Sequence, residues 1–178
     1  MDIFELARLL QNLIRLGTVT AVRHSTPSAV RIKTGELETN WIPFLTLRAG
    51  DVKTWCPPSV GEQVVLLSPG GELTNAVALT GLYSDHMAEP SNSGAVHTIT
   101  YPDGAEIKYD HGSSALSISG INTLEINASG AISINAPQTT INGIVTQSGG
   151  PMSSNGIVVD THKHAGVIPG GSNTQGPV

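Results

Sequence analysis

The chain has 178 residues with a formal net charge of −5, 4% aromatic side chains, 20 glycines and 11 prolines. This balance suits one large domain or two small ones with many turns, and it leaves little material for a large conventional core. The single Cys56 excludes an intramolecular disulfide and any CxxC or zinc-ribbon site, and no apolar run reaches the roughly 20 residues that span a bilayer.

Taken in order, residues 2–16 predict a helix. Ile3, Phe4, Leu6, Ala7, Leu10, Leu13 and Ile14 fall near the i, i+3, i+4, i+7 template. Asp2 followed by Glu5 reads as its N-terminal cap and Gly17 as its stop. Two roles are open to it: closing the end of its own domain, or contacting another subunit or partner. The same N-terminus lacks a basic region and a cleavage site, so we expect no signal peptide and assembly in a cytosol.

From Gly17 the pattern turns to short β runs. Strands are predicted at 17–23, 29–33, 39–47, 62–67 and 76–83, separated by Gly35, Gly50-Asp51, Pro57-Pro58 and Pro69-Gly70-Gly71. Five short strands in this length predict a small Greek-key barrel of the OB type, a fold that often binds nucleic acid. Residues 1–84 hold seven Lys or Arg and seven Asp or Glu, so the barrel offers no electrostatic footprint for phosphates. Trp41, Phe44 and Trp55 are therefore expected in the barrel core or an interface rather than stacked on bases, and no nucleic-acid partner is predicted.

Residues 85–97 read as a linker by composition. His24, His86, His97 and His111 are isolated in sequence and are expected in surface or turn roles. Residues 98–100 and 105–109 predict a hairpin-like entry around Pro102-Asp103-Gly104.

From Leu116 the chain repeats every eight residues. The units 116–123, 124–131 and 132–139 each open with two large aliphatics two positions apart, then Ser or Asn, then Gly or Ala; a fourth, 140–147, is degenerate. One apolar face and one Ser/Thr/Asn face describe a strand buried on one side only. Two buried aliphatics per octad fall short of the cost of ordering eight backbones, so a lone ribbon of this kind does not stay folded. Four irregular octads are also short for a one-chain solenoid, and the pattern predicts a ribbon wound with identical chains.

The C-terminal part, 148–178, contains Asp160-Thr161-His162-Lys163-His164. In an extended chain, residues i and i+2 project to one side, so His162 and His164 are arranged as half a metal site, the other reading being an exposed tail pair with no ligand. The residues after His164 include no His, Cys, Asp or Glu, so the missing ligands come from elsewhere.

The order of helix, OB-like barrel, linker, octads, H-x-H and a Gly/Pro-rich end (166–178) resembles the baseplate assembly protein V family, the central tail spikes of contractile-tailed phages of the Mu type. The resemblance runs over the whole chain, and the H-x-H with its Pro-Gly-Gly tail is its most specific part. It implies an all-β homotrimer: an N-terminal helix and OB-like barrel forming a collar (1–84), a linker (85–97), a triple-stranded intertwined β-helix (98–147) and a metal-bound apex (148–178). It implies one iron ion per trimer, held octahedrally by His162 and His164 of three chains, with Asp160 and Thr161 beside them. It further implies baseplate hub and tail tube proteins as partners, the bacterial outer membrane as target, a place in the virion tail baseplate after assembly in the host cytoplasm, and no catalytic step. Two other readings share features with the chain. A trimeric receptor-binding fibre tip would have a similar design but a broader, aromatic or loop-rich end. The D-x-H-x-H pattern also looks like the zinc-binding strand of metal-dependent hydrolases, in which most of the fold follows the motif, whereas here fourteen residues follow it.

Overall fold

The structure is a computed structural model describing residues 2–163, 166 and 170. It is mostly β with one α-helix, and the chain divides into two compact units, Met1–Leu124 and Glu125–Val178.

The helix α1 covers Ile3–Asn12, and β1 begins two residues later at Ile14. The predicted helix thus ends early, and Gly17 is not its stop. Gly17 lies within β1, where a Cβ would strike Ile32 Cγ2 and the Lys33 carbonyl. Residues 14–18 are claimed by a ladder of five rungs with the strand that follows later, Ile14 opposite Leu67 through Thr18 opposite Gln63; this long-range pairing overrides the local helical pattern. Asp2 occupies the N-cap position without a side-chain capping bond. Glu5 instead pairs with Arg8.

Five strands form one sheet: β1 (Ile14–Arg23), β2 (Ala29–Thr34), β3 (Leu37–Glu38), β4 (Gln63–Leu67) and β5 (Val77–Leu82), in the order β3-β2-β1-β4-β5. The predicted strand at 39–47 is not a strand. That segment makes one antiparallel bridge, Ile42 with Val30, and then one parallel bridge, Phe44 with Ala78. Pro43 has no N–H to extend a ladder, and its carbonyl accepts from Ala78 N at 3.0 Å. By changing partner at Pro43 the segment joins the edge of β2 to the edge of β5, which closes the barrel.

The core is small. Val19, Val30, Ile32, Ile42, Val64, Leu66, Ala76 and Ala78 are buried together, with Val22 and Phe44 packed against them. Two buried threonines have partners on the strands: Thr34 Oγ1 donates to the Leu16 carbonyl at 2.7 Å, and Thr39 Oγ1 accepts from Ile32 N at 3.0 Å. Phe44 is the aromatic that meets the core expectation. Trp55 is 61% exposed, and Trp41 is half-buried with Arg23 and Arg31 over its ring at 5.1 and 5.3 Å.

A separate three-stranded antiparallel sheet follows in the order β6 (Val96–Thr100), β7 (Glu106–Asp110), β8 (Ala115–Ser119). Its first strand takes Val96 and His97 from the expected linker. From 120 to 152 no strand is formed within the chain. A short hairpin, β9 (Ser153–Ser154) and β10 (Ile157–Val158), precedes the histidines.

Candidate functional site

The β6–β8 meander is built by its two turns. Between β6 and β7, Tyr101 N donates to the Ala105 carbonyl at 2.9 Å, Asp103 Oδ1 accepts from Ala105 N at 3.1 Å, and Gly104 takes a φ of 88°. Between β7 and β8, Asp110 Oδ1 accepts from Gly112 N at 2.8 Å and Ser113 N at 3.3 Å. The Gly112 and Ser113 amides favour the ionised form and hold the Asp110 carboxyl below its ordinary value.

These turns set a register that sorts the side chains. Residues directly opposite in an antiparallel pair share a face, so Ile99, Ile107 and Ile118 form one rung and His97, Tyr109 and Leu116 the next. The other face carries Thr98, Lys108 and Ser117, then Thr100, Glu106 and Ser119. The apolar face is uncovered: Ile99, Ile107, Tyr109, Leu116 and Ile118 are all exposed.

The octads continue the same alternation. Asn127 Nδ2 donates to Glu125 Oε1 at 2.8 Å, and Asn135 Nδ2 donates to Ser133 Oγ at 3.2 Å. These i, i+2 contacts align the polar side chains along one side of the ribbon. Among the described residues the intervening aliphatics are exposed: Leu124, Ile126, Ile132, Ile134 and Ile141 are between 58% and 74% exposed.

At the C-terminal end, Asn155 and Gly156 take φ values of 50° and 79°, the two-residue turn that matches strand twist in a tight hairpin. The sequence reading missed this hairpin, although the Asn-Gly pair is its usual signal. Val159 N donates to the Met152 carbonyl at 2.9 Å, which extends the hairpin by one bond. Asp160 and Thr161 turn, and His162 Nδ1 lies 2.6 Å from the Val159 carbonyl. A carbonyl only accepts, so in this bond Nδ1 donates, and the backbone orients the ring. The other proposed ligand, His164, lies outside the described residues.

Among the described residues, no group of three or more His, Cys, Asp or Glu gathers as a metal site. The isolated histidines sit where surface or turn roles place them: His86 in a turn, His111 against the Gly94 carbonyl at 3.2 Å, His24 edge-on to Trp55 at 6.4 Å, and His97 on the exposed meander face.

Comparison with known proteins gives two family matches and one long relative. Residues 15–83 match the Type VI secretion system/phage-baseplate injector OB domain, and residues 156–178 match the GpV Apex motif. The chain is 38% identical to the spike protein of Escherichia phage P2, over 93% of either chain.

Proposed function

The chain belongs to the phage baseplate spike family, and from that premise we propose that it is the central spike of a contractile tail, a homotrimeric needle driven through the bacterial outer membrane when the sheath contracts. The observation that carries this reading is the exposure of aliphatics on the β6–β8 meander and, in the second unit, along the octads. In water such exposure is a large cost, and two further copies of the same ribbon cover it by symmetry. Three barrels then form the collar that docks on the baseplate hub and tail tube, and three octad ribbons wind into a triple-stranded β-helix. The spike is built in the host cytoplasm and resides in the virion baseplate. Its work is mechanical and involves no catalytic step.

The donor set at the apex suits an iron ion. His162 and His164, two residues apart and repeated in three chains, would supply six imidazole nitrogens. Octahedral nitrogen coordination fits iron better than zinc, which prefers four ligands. His162 and His164 would hold the ion, and the ion would fasten three chain ends that have few apolar contacts of their own. The wild-type protein is expected to carry close to one iron per three chains by elemental analysis. His162→Ala with His164→Ala should abolish the iron and leave the trimer intact, and phage carrying it should infect poorly. A metal-free wild-type apex, or full infectivity of the double variant, contradicts the clamp.

A further inference from the structure

The collar carries two further apolar surfaces that its own fold leaves uncovered. The first is α1, which is turned the opposite way from an ordinary amphipathic helix. Its polar edge faces the barrel. Arg8 bridges Glu5 at 2.8 Å and Glu72 at 2.9 Å, the backbone of Leu9 lies tight against Gly71, and buried Asn12 accepts from Arg15 Nη1 at 3.0 Å. The apolar stripe of Ile3, Leu6, Leu10 and Leu13 faces solvent, with Ile3 74% exposed, and Phe4, 80% exposed, lies on the other flank of the helix.

The second surface is the outer face of the sheet. Register places Ile14, Leu67 and Val77 in one rung and Leu16, Val65 and Leu79 in the next. Ile14, Leu16, Leu67 and Leu79 are exposed, and Val65 and Val77 are half-buried. A sheet face of six aliphatics has the character of a core surface, yet no described element packs across it.

We infer that the α1 ridge of each copy packs onto the β1–β4–β5 outer face of the next copy around the collar. The inference rests on the three-chain reading above and specifies how the barrels meet. In a cyclic trimer every contact is heterologous, so each chain must present two different surfaces, one for each neighbour. A convex helical ridge and a sheet face are such a pair, and helix on sheet is a standard packed layer. Each surface exposes on the order of 500 Å². Their contact removes about 1,000 Å² from water, the size at which an interface becomes specific.

The test uses the full chain in a Cys56→Ser background, with Ile3→Cys on the ridge, Leu79→Cys on the sheet face, or both, treated with a flexible bis-maleimide. A second pair, Leu10→Cys with Leu16→Cys, covers the case in which the linker geometry suits one pair poorly. Each single variant is expected to run mainly as a monomer on a denaturing gel. Each double variant is expected to give dimers and a closed covalent trimer. Trimeric mass in solution with both double variants uncross-linked overturns the collar contact alone and gives the ridge to another protein. Single variants that cross-link as well as the doubles also overturn it, because like surfaces would then be meeting. A monomeric mass overturns the three-chain reading together with the collar contact.

Discussion

Single residues show where local chemistry decides and where it is overruled. Gly71 has a φ of 76°, and a Cβ there would meet the backbone of Leu9. Gly71→Ala should cost about 2 kcal/mol or more, from backbone strain and displacement of α1, and chemical denaturation should show it as a lower midpoint at unchanged slope. Asp110 provides a pH signature. Its folded carboxyl titrates below the ordinary value of 3.8 because the Gly112 and Ser113 amides bind the charged form. The turn therefore contributes fully above that ordinary value, and its contribution is lost as pH falls through the lower folded value. Titration of the carboxyl by NMR should give a value below 3.8, and Asp110→Asn should remove this acid dependence. At this scale the sequence was partly legible. Pro102-Asp103-Gly104 marked its turn correctly because turn chemistry is local. Gly17 was misread because its reason is contact with Ile32 and Lys33, which are distant in sequence.

Whole elements were legible where one period ran without interruption. The helix, four of the five barrel strands and the hairpin entry at 98–109 lie close to their expected places. Errors came where an element's partner is far away. The early start of β1 depends on β4, and the loss of the strand at 39–47 depends on a switch of partner at Pro43. The apolar stripe of α1 was visible, but its outward orientation depends on Glu72 and Gly71, which no helical pattern reveals. Arg8→Ala removes both of its carboxylate contacts, and hydrogen exchange across residues 3–12 should become faster. The octads had the clearest repeat, yet from 120 to 152 they form no strand within one chain, which the proposed pairing with further copies of the same ribbon accounts for. A charge on that face should be intolerable in the assembled needle: Ile126→Asp with Ile134→Asp is expected to abolish the trimer in sedimentation velocity, while Ser133→Asp on the polar side leaves it assembled.

At the scale of the whole molecule, the separate features express one condition. The barrel closes on eight buried residues, whereas the meander, the octads, α1 and the outer sheet face all present aliphatics to solvent. A single chain with so much apolar surface and so small a core is incomplete, and the family to which it belongs is one of baseplate spikes. In the proposed trimer, three copies around an axis would cover these surfaces and bring three pairs of His162 and His164 to one point. The apex is the part least legible from one chain, since in that proposal its geometry depends on a shared axis. The most direct test is the mass of the purified full-length protein in solution by light scattering. The account predicts three times the chain mass of 18.5 kDa, unchanged on dilution; a stable monomer would contradict it.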